Sequence, residues 1–254
     1  LIEAGVVAII GHMTSSQTLA ALPMLRKEGI ALVSPSTSTP LLSGKRDNFF
    51  RLNSASNRSA AVMGRYACEQ LGAEHVGVVY DTSNEAYSLP YTEEFVDSTR
   101  QHGAETFERI PFDSQDISAS PGDGGTTDAH TEGETGDGGS TDNSTAGGLN
   151  WRVMIERLEA AGCDTVLVVA SAADTALFAQ AIAELPLDVR LLGAGWAYTE
   201  SLLRYGGEAV DGILFTDTFS SEAGNEAYAD FARRYEERFG SEPNFAAVHG
   251  YETV

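Results

Sequence analysis

The order of apolar runs limits this chain to one fold class. Short stretches rich in Val, Ile and Leu at residues 6–10, 30–33, 76–80, 165–170, 190–192 and 213–216 alternate with longer segments of helical period. Continuous apolar runs of this length read as strands buried on both faces, the pattern of a parallel sheet covered by helices. In the clearest helical segment Trp151, Met154, Ile155 and Leu158 fall at i, i+3, i+4 and i+7, with Asn150 placed to cap the start and Gly162 to end it. Tyr228, Phe231, Ala232, Tyr235 and Phe239 repeat the pattern before Gly240, and weaker versions cover 59–71, 92–102 and 173–185. Strand and helix in alternation predict an α/β doubly wound architecture.

Composition narrows the function classes. The 254 residues, 42% hydrophobic and 21% charged, hold enough apolar surface for one large or two ordinary globular domains. No run approaches the roughly 18 to 20 apolar residues of a membrane span, and no charged-then-apolar leader opens the sequence. Sixteen Lys and Arg face 37 Asp and Glu, a net charge of -21, so a phosphate backbone would be repelled and nucleic acid is excluded as a partner. Only Lys27 and Lys45 are lysines. Acid excess with so few lysines is the composition of halophilic proteins, whose carboxylates stay hydrated at molar salt while the field between them is screened. Cys68 and Cys163 have no C-x-x-C spacing and read as unpaired thiols.

Residues 114–148 break the pattern. Nine Gly, five Ser and six Thr among 35 residues, with seven acids and no Lys or Arg, predict a disordered acidic insertion. The first four residues resemble the tail of a helix, and Asn244 opens a helical pattern that runs to the last residue, Val254. Both ends therefore look truncated.

The common catalytic signatures are missing. There is no G-x-G-x-x-G, no G-x-x-x-x-G-K-[ST] and no G-x-S-x-G. The five histidines lack the spacing of a metal site, and nothing pairs Ser15, Asp81 or a histidine as nucleophile and base. The sequence predicts no enzyme, no metal and no cofactor.

The informative constellation follows the first two strands. Residues 11–18, Gly-His-Met-Thr-Ser-Ser-Gln-Thr, lead into a helical stretch carrying Leu19, Leu22 and Leu25. Free backbone N–H groups and the positive dipole end converge there, and hydroxyls of Ser15 or Ser16 can add donors for a carboxylate; ordinary N-capping is the plainer reading. The next strand ends in Ser34-Pro35-Ser36-Thr37-Ser38-Thr39-Pro40, again small and polar. Open α/β sheets bind ligands outside such carboxyl ends.

With these segments, Pro23 inside the following helix, Phe50-Arg51, Tyr80-Asp81 followed by Tyr87, Leu192-Gly193 and Gly250-Tyr251 in order, the chain resembles the type I periplasmic solute-binding proteins. Within them it resembles the branched-chain amino-acid receptors of ABC transporters, and the likeness spans nearly everything outside the insertion. The resemblance implies two Rossmann-like lobes joined by a hinge: lobe 1 from 1–54 and 215–254, incomplete, and lobe 2 from 55–214. It implies that Ser15 holds the ligand carboxylate with help from Ser38, that the Ser36 carbonyl accepts an amine and that Tyr87 closes over the ligand. Ser171 stands where the family often has an aromatic, and Gly195 where amino-acid binders often place an acid. An ammonium buried without a charged partner costs several kcal/mol. Either Glu85, Asp174 or Glu200 substitutes, or the ligand carries no amine. Trp196, and similarly Phe245, reads either as a cleft-mouth stacking residue or as core.

The resemblance thus implies an extracellular or periplasmic receptor of an ABC importer, anchored at the cell surface through a segment outside this sequence. It would pass a small carboxylate-bearing ligand, a branched-chain or other amino acid, to a membrane permease. The alternatives are a sensor domain of a signalling receptor on the same fold and a binder of non-amine carboxylates or amides.

Overall fold

The computed structural model describes residues 1–115, 151–185, 187–217 and 226–254. The expected insertion lies outside these residues except for Ser114 and Gln115, as does the expected cap Asn150.

Two parallel sheets organise the chain. In the first, β1 (Ala8–Ile10), β2 (Ala31–Ser34) and β3 (Phe49–Arg51) lie in the order β1-β2-β3, with α1 (Ser15–Lys27) as the first crossover. In the second, β4 (His75–Asp81), β5 (Thr106–Phe112), β6 (Thr165–Val169), β7 (Arg190–Gly193) and β8 (Leu214–Phe215) lie in the order β5-β4-β6-β7-β8, with every pairing parallel. Gly11 leaves β1 at φ +145°, where only glycine is unstrained, and so turns the chain toward the start of α1.

The larger sheet is buried on both faces, as its continuous apolar runs require. Val76, Val78, Leu167, Val169 and Leu192 pack under α2 (Ser56–Glu69) and α3 (Glu85–Gln101), with Met63, Tyr91 and Phe95 at the centre. Val79, Ile110, Val166 and Val168 point the other way, against Ile155 and Leu158 of α4 (Trp151–Ala160) and Phe178 of α5 (Ala172–Ala183). This alternation is the period-two geometry of a strand acting on a run with no polar residue.

The smaller sheet departs from the expectation of full burial. Leu22, Leu25, Ile30 and Leu32 form its core under α1, but Val7 is 86% and Ile10 56% exposed. The first four residues form a turn, not a helix tail. Three elements are additional to the sequence reading: β3, β5 and α6 (Glu200–Gly206). α7 (Glu226–Phe239) and α8 (Phe245–Glu252), the latter capped by Asn244 through its side-chain oxygen at 3.0 Å from the Ala247 N–H, complete the chain. Cys68 and Cys163 are both unpaired, and burial pushes the Cys163 thiol up to about 11.

Candidate functional site

The carboxyl ends of β1, β2, β3, β7 and β8 and the first turns of α1 and α3 surround one cleft of about 300 Å3. Six of the eight expected site residues line it: Ser15, Ser36, Ser38, Tyr87, Gly195 and Trp196.

The start of α1 is built to present donors. Thr14, not Ser15 or Ser16, is the cap: its hydroxyl accepts the Gln17 N–H at 3.2 Å, and the Gln17 side-chain oxygen accepts the Thr14 N–H at 3.3 Å. The Ser16 N–H donates to Asn84 Oδ1 at 3.2 Å. The Ser15 N–H is therefore the one donor of the first turn with no acceptor among the described residues. The Ser15 hydroxyl, almost fully buried, accepts the Thr39 N–H at 3.3 Å, which turns its own proton away from that loop.

The second loop is tied to the first. Thr18 and Thr37 share a hydroxyl–hydroxyl bond of 2.7 Å, and the Ser36 hydroxyl donates to the Met13 carbonyl at 2.7 Å. Ser36 thus spends its side chain on the loop, while its N–H donates to Ser34 Oγ at 3.4 Å and its carbonyl accepts from Asn53 Nδ2 at 3.5 Å. Ser38 gives its carbonyl to the Ser56 N–H at 2.7 Å, while its own N–H and hydroxyl meet no partner among the described residues. Ser15 at the start of α1 and Ser38 in the loop after β2 together present two N–H and two O–H donors to the cleft, a set suited to a carboxylate.

The opposite wall is aromatic. Tyr87 packs between Tyr91 and Trp196, with ring centroids 5.7 and 5.6 Å apart. Burial holds the Tyr87 hydroxyl protonated well above its ordinary range. Trp196 lines the cleft and packs against the core under α2 and α3. Phe245 lines the cleft from α8.

Ser16 and Ser171 do not line the cleft. Ser16 bridges two helix starts: besides its bond to Asn84, its hydroxyl accepts the Ala86 N–H at 3.3 Å. Ser171 caps α5, accepting the Asp174 N–H and donating to the Asp174 carboxylate at 2.6 Å. Glu85, Asp174 and Glu200, the acids weighed as partners for an amine, also lie outside the lining. Sequence reasoning missed Asn53, Asn84, Tyr91, Thr216, Asp217 and His249, all of which line the cleft. Tyr91 stands one helical turn from Tyr87 and so carried a usable signal.

Among the described residues no group of His, Cys, Asp and Glu could hold a metal ion, and no helix is long and apolar enough to cross a membrane.

Comparison with known proteins agrees with this architecture. The chain superimposes on a leucine binding protein, LivK, from Thermotoga maritima, with a TM-score of 0.81, 23% identity, and 99% of this chain and 62% of that one covered. The branched-chain amino acid substrate binding protein LivJ from Streptococcus pneumoniae, solved with isoleucine, gives 0.73 at 18% identity over 98% and 62%. A solute binding protein of an ABC transporter from R. palustris, solved with benzoate, gives 0.75 at 18% identity over 98% and 60%. The chain spans about three fifths of the length of each. A search of curated proteins finds no significant match. The family of these neighbours consists of solute-binding proteins, not enzymes. Its profile, described as periplasmic binding protein, matches residues 1–121 and 133–254, and the chain therefore belongs to the periplasmic binding protein family, with the type I fold.

Proposed function

We propose that this chain is the ligand-capturing part of an extracellular or periplasmic receptor for an ABC importer, and that it takes a small amino acid. The observation that carries the reading is the set of free donors on Ser15 at the start of α1 and on Ser38 in the loop after β2, opposite the aromatic wall of Tyr87, Tyr91 and Trp196. Hydrogen-bond donors at a helix terminus take the carboxylate, and the aromatic side takes the aliphatic body. The neighbours solved or named with leucine and isoleucine support that class.

In this reading residues 1–54 and 215–254 form lobe 1 and 55–214 form lobe 2. Closure of one on the other excludes water from the ligand, and release goes to a membrane permease, the receptor being held at the cell surface. The acidic surface fits a high-salt medium.

A second reading, a non-amine carboxylate such as an aromatic acid, is favoured by the benzoate complex among the neighbours and by the aromatic lining. A thermal-shift panel of the standard L-amino acids against benzoate and aliphatic carboxylates separates the two. An amino acid at one hundred times its Kd should stabilise by about 2.7 kcal/mol. Stabilisation by benzoate alone would select the second reading, and silence across the panel would remove both.

A further inference from the structure

We propose that Asp217 recognises the ligand's ammonium group, in place of an acid at position 195. This inference rests on the amino-acid reading above. Three observations lead to it.

First, position 195 has no room for a side chain. A Cβ built on Gly195 would stand 2.3 Å from the Thr216 carbonyl oxygen, a backbone atom that cannot swing aside. Glycine is required there because the chain leaving β8 passes directly over it. Second, the residue after Thr216 is Asp217, and it lines the same cleft as Ser15, Ser38 and Gly195. The close approach that excludes an acid at 195 thus delivers one two positions past β8. Third, Asp217 is the only carboxylate among the described lining residues, and no Lys or Arg lines the cleft. Among the described lining residues an ammonium held near Gly195 has no other charged partner.

The segment is anchored for this task. Thr216 Oγ1 lies 3.1 Å from the Tyr91 hydroxyl, which fixes it to α3. Asp217 is solvent-exposed at the cleft. It also borders an adjoining hollow that Arg58 lines. A carboxylate has acceptor sites on both oxygens, so it can serve the ligand on one side while facing Arg58 on the other.

The test measures, by calorimetry on the full chain, the tightest amino acid of the panel and the same molecule without its α-amine, for leucine 4-methylpentanoate. The wild-type chain should prefer the amino acid. In Asp217→Asn the amino acid should weaken about tenfold or more, the scale of a lost hydrogen bond between charged groups. The des-amino acid should keep its affinity within about threefold, which also reports that the variant is folded, and Asp217→Glu should restore part of the preference. A wild type with no preference for the amine, or an Asp217→Asn variant that keeps its preference, overturns the proposal while leaving carboxylate capture intact. If neither compound binds any variant, the functional reading fails first.

Discussion

Replacing Ser15 by Ala should damage binding far more than folding. The side chain is 2% exposed, and its hydroxyl accepts the Thr39 N–H at 3.3 Å while its proton has no acceptor among the described residues. In the free protein the substitution removes one long hydrogen bond and leaves a single N–H unsatisfied, worth about 1 kcal/mol. For a chain of this size that lowers Tm by roughly 2 to 4 °C. In the complex it removes a donor to a charged carboxylate, worth about 1.5 to 3 kcal/mol, which raises Kd by roughly ten- to 150-fold. Calorimetry with the tightest ligand of the panel reads the second effect, and a melting curve without ligand reads the first. A Kd within twofold of wild type, accompanied by the small loss of Tm, would refute the reasoning: Ser15 would then be a loop fastener for Thr39 and the carboxylate would lie elsewhere.

Two further perturbations test the frame around the cleft. Gly64 of α2 sits against α3, where an added Cβ would meet the Ser98 side chain at 2.7 Å and the Phe95 carbonyl oxygen at 2.9 Å. Gly64→Ala should therefore cost about 1 to 3 kcal/mol by overpacking, read as an earlier urea midpoint, and an unchanged midpoint would mean that α2 and α3 separate freely. Burial, and secondarily the nearby Asp81 charge, raise the Asp174 carboxyl above its ordinary 3.8, against the lowering effect of the Ser171 hydroxyl. A carboxyl raised in the folded state binds its proton more tightly there than in the unfolded chain. Its contribution is full below pH 3.8 and is lost as pH rises through the folded value. Asp174→Asn removes that loss, so its stability relative to wild type should improve as pH climbs from about 4 towards neutrality; parallel curves would show that Asp174 titrates normally.

Legibility in the sequence followed burial. β6 was readable because each residue from Thr165 to Val169 is buried, so no polar position interrupts the run. β5 was not, because it is the edge strand: Glu108 and Arg109 occupy it, and Pro111 is tolerated at an edge. α3 begins at Glu85, seven residues before the expected start, since Pro90 inside the helix imitates a boundary. At the site, Ser15 and Ser38 were visible as small residues where strand gives way to loop or helix. Asp217 was not, because its place depends on the pairing of Phe215 with Gly193, a contact between segments that no local pattern records.

The anionic charge and the capture of a carboxylate are compatible only because of how the cleft divides its work. A net charge of -21 repels a simple carboxylate over the Debye length, about 10 Å at 0.1 M salt and 3 Å at 1 M. No Lys or Arg in the described lining offsets that field. The donors of Ser15, in the first turn of α1, and of Ser38, in the loop after β2, act only at contact, and so they hold an anion without drawing it in. A zwitterion has no net charge to be repelled, and its two ends match the two features of the cleft, uncharged donors at α1 and the carboxylate of Asp217. The same surface that disfavours a bare acid at low ionic strength is therefore neutral towards an amino acid. On the amino-acid reading, long-range field and short-range geometry favour the same ligand class for independent reasons.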